Sequence, residues 1–257
     1  MKEVQNMLKE AQEEDDKTGL SRCYNIMSQI YTIKRFDSMA FEWRLKEIEL
    51  TEKYKIENYN ISQTYAQIAN YYINQKKQKE ALAAVEKAIA TANSSTQQIS
   101  AKLEFVNYYS KFGDFQAAEK LLKECQAAFE QDKRLESIKK RLYNIECLYY
   151  QQTKQYPKAL EAAKMQEKEE RRLSESILSS IHYRTQGEIY QKMGNMNLAV
   201  KYLQMYINTD DSLKIANEQV ASSEFATLLN VEKLNAEKKE LMLQAQQKEL
   251  HNKTTLI

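Results

Sequence analysis

A tyrosine followed nine residues later by an alanine recurs five times along this 257-residue chain. Successive alanines are separated by 41, 37, 41 and 40 residues, the length of two helices with their connections. A sequence with such a period folds as stacked copies of one unit, so the repeat decides the architecture. The pairs are Tyr31 and Ala40, Tyr72 and Ala81, Tyr109 and Ala118, Tyr150 and Ala159, and Tyr190 and Ala199.

Each unit has the pattern of a helical hairpin. The residue three before the tyrosine is mostly small, on the same helical face, and lets the partner helix approach closely. A polar turn follows, with Gly113 and Gly194 at matching places where a helix must end, and Pro157 starts a second helix. With only 4 Gly and 1 Pro, the chain has few turn residues for strands. The small positions are Ser28, Ala69, Val106, Cys147 and Gly187.

One hairpin cannot cover its own apolar stripe, such as Val85, Ala88 and Ile89, so neighbouring hairpins must stack. We therefore predict an all-α fold, a right-handed α-α superhelix of about five helical hairpins with a concave inner face. The odd, widely spaced cysteines favour small core residues over disulfides or a metal site, and these are Cys23, Cys125 and Cys147.

Two segments carry a family resemblance, YRTQGEIYQKMGNMNLAVKYLQMYI (183–207) and YAQIANYYINQKKQKEALAAVEKAI (65–89). They resemble the tetratricopeptide repeat, and the likeness extends over about residues 20–210. The resemblance implies a groove that holds an extended peptide. The sequence departs from the pattern in its longer period, in polar Glu146 and Gln186, and in Arg44 and Glu47, where the first hairpin should bury small or apolar residues.

The two ends of the chain differ from the repeats at 18–210. Residues 1–17 read as a lone helix, either an N-terminal cap or a partial repeat of a longer protein. Residues 211–257 predict one long helix, because 211–252 contain no Gly or Pro. That helix is either a cap folded along the last hairpin or a dimerising stalk, with a coiled-coil-like seam at Val231, Leu234, Leu241 and Ala245.

The segment DDSLKIANEQVASSEFATLLNVEKLNAEKKELMLQAQQKEL is similar to the juxtamembrane region of bacterial tetratricopeptide sensor-regulators. That resemblance implies the sensory part of a membrane-bound transcriptional regulator or histidine kinase, adjacent to a membrane span and outside the cytoplasm. The sequence itself contains no apolar run of about 18 residues, so we expect the chain as given to be soluble. If it is not part of such a membrane-bound regulator, we expect it in the cytoplasm. The alternative function is a constitutive scaffold or adaptor without signalling.

The inner face of the superhelix is formed by the first helices, and the pattern places asparagines there. An asparagine amide offers a donor and an acceptor to one peptide unit, so these side chains predict a protein or peptide ligand. A solvated polar face is the alternative interpretation. The candidate binding residues are Asn25, Asn70, Asn107, Asn144, Arg141, Arg184 and Gln151.

Other function classes find little support in the sequence. The 38 basic and 36 acidic residues leave a net charge of +2, which disfavours nucleic-acid binding. His182 and His251 are predicted to be surface residues, and the sequence has no nucleophile elbow, phosphate loop or HExxH motif. We therefore expect no catalytic activity, no cofactor and no metal.

Overall fold

The computed structural model of the protein describes residues 2–34, 36–173 and 180–209, and every regular element in these ranges is a helix. A short 3-10 helix, Lys133–Ile138, precedes α8. The α-helices are α1 Lys2–Glu13, α2 Lys17–Ile33, α3 Asp37–Tyr54, α4 Ile61–Asn74, α5 Gln78–Ala90, α6 Ser95–Phe112, α7 Phe115–Gln131, α8 Lys139–Gln152, α9 Tyr156–Leu173, α10 Ser180–Lys192 and α11 at 196–209.

The helices pair along the chain as predicted hairpins. Helix α2 packs on α3, α4 on α5, α6 on α7 and α8 on α9, while α1 packs on α2. Tyr190 of α10 stacks on Tyr202 of α11, with ring centroids 5.3 Å apart. The first helices α4, α6 and α8 also contact one another in succession, so they form a continuous row of first helices.

The repeat residues form the core between the helices. The five repeat alanines are fully or almost fully buried, and the small positions Ser28, Ala69, Val106 and Cys147 are buried beside them. At the last small position, a Cβ atom on Gly187 would lie only 2.8 Å from Cγ of Leu203. Because that distance is too short for two carbon atoms, α10 and α11 can approach this closely only with glycine at position 187.

The first helices of four hairpins are followed by a residue with a left-handed backbone conformation at matching positions. The residue four after the repeat tyrosine has a left-handed conformation in four hairpins, with φ of 58° at Lys76, 91° at Gly113, 60° at Lys154 and 79° at Gly194. Glycine takes this conformation freely, whereas lysine adopts it at a cost of about 1 kcal/mol. The turn is therefore a property of the repeat and does not depend on glycine alone.

The three cysteines are buried and free, which confirms their prediction as core residues. Burial raises the pKa of Cys125 and of Cys147 to about 11. Both thiols therefore stay protonated and unreactive at neutral pH.

The chain divides into two compact units, residues 1–206 and 207–257. In the described ranges no helix combines the length and the apolar character that crossing a membrane requires. The seam predicted at Val231, Leu234, Leu241 and Ala245 lies outside the described residues, as do His251 and the long helix expected at 211–257. Those interpretations stay predictions.

Candidate functional site

The row of first helices α4, α6 and α8 lines a groove of about 540 Å³ near the N-terminal ends of these helices. Its lining includes hydroxyl and amide side chains and two cations, Lys140 and Arg141, and the described lining residues include no carboxylate. Amides and hydroxyls can donate and accept hydrogen bonds, so the groove can satisfy both polar groups of a peptide unit. The polar lining includes Gln63, Thr96, Gln97, Ser100, Asn144 and Gln166.

The groove cation Arg141 is held by a buried carboxylate. Its Nη2 atom donates to Oε1 of Glu104 over 2.6 Å, and Glu104 is almost fully buried. The same carboxylate accepts from Nδ2 of Asn107 at 3.3 Å and of Asn70 at 3.5 Å. The structure therefore brings three predicted site residues together around Glu104, with the amide groups of Asn70 and Asn107 bonded to this carboxylate.

Arg141 has one polar atom that the protein does not satisfy. Its Nε atom is buried and has no hydrogen-bond partner among the described residues. An unpaired buried donor costs free energy, so this nitrogen is a local cost of burying the Arg141 side chain.

The other groove cation, Lys140, belongs to a second network. Its Nζ atom lies 2.9 Å from Oε2 of Glu170, and Nε2 of His182 lies 2.6 Å from the same oxygen. Burial raises the pKa of Glu170, but the hydrogen bonds with Lys140 and His182 outweigh burial and lower that pKa. The prediction of a surface position for His182 is wrong, because the side chain is buried against this carboxylate.

The first hairpin buries its polar residues instead of excluding them. Glu47 is fully buried and accepts hydrogen bonds from Asn58 at 2.8 Å, from Thr64 at 3.2 Å and from Asn25, whose Nδ2 lies 3.2 Å from each carboxylate oxygen. Arg44 is buried as well and donates to Gln67 and to Thr32. Burial raises the pKa of Glu47, although these hydrogen bonds oppose the shift.

The remaining predicted residues do not lie together at one place. Asn144 lines the groove. Gln151 donates to Sγ of Cys147 over 3.3 Å, and Arg184 pairs with Glu188 on the exposed side of α10 at 2.8 Å. Of the seven candidates, Arg141 and Asn144 line the groove, and ligand binding by all seven stays a prediction.

Gln63 and Ser100, two groove residues that the sequence analysis missed, share a repeat position with the predicted residue Arg141. Gln63, Ser100 and Arg141 each lie nine residues before the repeat tyrosine, and all three line the groove. Arg22 has the same position in the first hairpin and lines a second cavity. The sequence signal for this lining is the position nine residues before each repeat tyrosine.

Comparisons with known proteins support the fold. BtubC (BKLC) from P. vanneervenii superposes with a TM-score of 0.50 at 13% identity, over 82% of this chain and 90% of that chain. PilW, a type IV pilus biogenesis factor, gives 0.47 at 18% identity over 80% and 82%. A putative kinesin light chain from Podosopora anserina with nearly identical TPR-like repeats gives 0.40 at 15% identity over 75% and 95%.

No protein-family model matches the sequence, and none of the curated proteins matches it either. At 13% identity the likeness to BtubC shows the fold alone. The stacking of helical hairpins and the likeness to BtubC lead to the same assignment. The chain therefore has the all-α fold of a helical repeat superhelix, of the kind that its resemblance to the tetratricopeptide repeat predicted.

Proposed function

We propose that the groove between α4, α6 and α8 binds an extended segment of a partner protein. The observation that carries the proposal is the groove lining itself, which in the described part of the chain holds amide, hydroxyl and cationic groups and no carboxylate. An extended peptide exposes unpaired N–H and C=O groups along its length, and the amides of Gln63 and Asn144 offer both kinds of partner. Such binding tolerates many sequences because it recognises the peptide backbone.

The α8 end of the groove favours an acidic side chain in that segment. Lys140 and Arg141 both line this end, and their side chains are 41% and 24% exposed. A carboxylate of the partner could accept from these cations, and charge-assisted hydrogen bonds of this kind are stronger than neutral ones. The proposed ligand is therefore an extended peptide with an acidic residue at the α8 end.

A charge placed in the groove wall tests this proposal. Replacing Ser100 with glutamate adds a carboxylate to the lining, and we expect it to weaken the binding of an acidic peptide by about tenfold, since like charges in a partly solvated groove repel by more than 1 kcal/mol. Peptides are first selected from a random library on the wild-type protein. Their affinities are then measured by fluorescence anisotropy.

The matched control is Gln98→Glu, which adds the same charge to an exposed position of α6 outside the groove. This variant should retain wild-type affinity. Selected peptides that bind both glutamate variants equally well would contradict the groove assignment, and so would a selection that enriches no peptide.

A finer proposal rests on the sequence resemblance of residues 210–250. We propose that the domain is the sensory or interaction region of a bacterial signalling or transcriptional regulator, and that groove occupancy changes how two C-terminal segments pair. A ligand can shift such an equilibrium only by its different affinity for the two states. The alternative is a constitutive scaffold that assembles a protein complex without signalling.

Light scattering after size-exclusion chromatography tests the pairing step. We expect the full chain to be a dimer and a chain without residues 220–257 to be a monomer, because the predicted apolar seam is removed. Circular dichroism of both chains checks that the repeats remain folded. A full chain that elutes as a monomer would exclude the dimerising stalk and would favour the scaffold alternative.

A further inference from the structure

A second cavity, of about 330 Å³, opens between α2 and the segment that joins α3 to α4. Its apolar wall is formed by Ile26, Ile56 and Tyr59, and the Tyr59 ring is largely exposed to solvent. The backbone of this segment is anchored, because Nε2 of Gln97 donates to the carbonyl oxygen of Tyr59 over 2.6 Å. The cavity therefore has a fixed apolar wall with an accessible aromatic ring.

The charged residues of the cavity leave it with negative charge in excess. Glu47 and Glu57 both line it, whereas Arg22, on the exposed side of α2, is the one cation among the lining residues that the structure describes. Two carboxylates against one solvated guanidinium give an attractive field for a positive ligand.

The carboxylate of Glu47 is the stronger of these two charges because water does not screen it. It is fully buried, and the groups that donate to it are the neutral side chains of Asn25, Asn58 and Thr64. The nearby Arg44 directs its donors to Gln67 and Thr32 instead. Among the described residues no cation forms an ion pair with Glu47. Burial raises its pKa, while its neutral donors and the nearby charge of Arg44 oppose that shift.

We infer that this cavity receives an organic cation with an apolar stem, namely the side chain of an arginine on a partner protein. The stem would pack against Ile26 and Ile56, as long basic side chains commonly do on apolar surface. The guanidinium would lie at the Tyr59 ring and towards Glu47 and Glu57, where ring and charge attraction act together. The cavity is lined by different residues from the groove, so this inference stands whether or not the groove binds a peptide.

A pair of small probes separates charge recognition from general apolar binding. The full-length protein is titrated with n-butylguanidinium chloride and, separately, with n-butylurea, which has a similar shape and no charge. We expect butylguanidinium to shift the NMR signals of the Asn25 and Asn58 side-chain amides and of the Tyr59 backbone, because these groups line the cavity. Butylurea should leave them in place at the same concentrations.

Four variants then assign the effect to the cavity. Glu47→Gln should abolish the butylguanidinium shifts, and Glu57→Gln and Tyr59→Ala should each weaken binding by about threefold. Glu49→Gln removes one carboxylate from an exposed position of the same helix as Glu47, outside the cavity, and should bind as the wild type does.

The inference is overturned by equal shifts with both probes, or by unchanged binding in a folded Glu47→Gln variant. Should Glu47→Gln fail to fold, the exposed positions Glu57 and Tyr59 decide the question. Wild-type affinity in both of their variants would then refute the site.

Discussion

Replacing Arg141 with alanine is expected to lower the free energy of unfolding by about 3 kcal/mol. The guanidinium forms a 2.6 Å ion pair with Glu104, whose side chain is 4% exposed. Without Arg141, a buried carboxylate would keep only the amide donors of Asn70 and Asn107 and no cation. A buried charge that loses its partner destabilises a protein far more than the pair stabilises it. Urea unfolding monitored by circular dichroism measures the loss.

A double-mutant cycle shows whether this loss comes from the stranded charge. In Glu104→Gln the carboxylate becomes a neutral amide that can still accept from Asn70 and Asn107, so the double variant Glu104→Gln, Arg141→Ala should recover about 2 kcal/mol relative to Arg141→Ala. Arg184→Ala is the matched control, because its ion pair with Glu188 is exposed and should contribute less than about 1 kcal/mol. A double variant no more stable than Arg141→Ala would contradict the explanation.

Arg141 therefore has two roles, because it pairs with the buried Glu104 and also lines the groove. A loss of peptide binding in an Arg141 variant could come from either role, whereas Ser100 lines the groove and is not part of the Glu104 network. A charge at Ser100 therefore tests peptide binding without removing a contact of Glu104. In the proposed complex, the acidic residue of the ligand and Glu104 would both interact with the guanidinium of Arg141.

Much of the fold was predictable because the residues that define the repeat are core residues. Tyrosine, alanine and the small position recur at fixed spacing, since each packs against the next helix, and the structure buries the alanines accordingly. The turns were predictable in part. Gly113 and Gly194 indicated the left-handed residue, but Lys76 and Lys154 adopt the same conformation with no sequence signal.

The candidate site was less predictable because helical spacing does not reveal partners. Relative to the repeat tyrosine, Asn25 and Asn144 lie six residues upstream, whereas Asn70 and Asn107 lie two upstream, so the two pairs share one helical face but lie one turn apart. The latter pair donates to the carboxylate of Glu104, and the helical spacing does not indicate that this carboxylate is buried. Buried acids such as Glu47 and Glu104 are visible only when their donors on neighbouring helices are known.

Replacing Ala81 with leucine is expected to destabilise the protein by about 2 kcal/mol, because the larger side chain has no space in a fully packed core. Ala81 is fully buried and packs in one cluster with Tyr65, Ala69 and Val85. The alanine of the repeat is the position where the second helix meets the first, so overpacking there should separate α5 from α4. Ala83→Leu is the matched control, because it makes the same change at an exposed position of α5 and should alter stability by less than about 0.5 kcal/mol. Thermal and urea unfolding of both variants measure the difference, and equal stabilities would show that the repeated alanine does not set the distance between the helices.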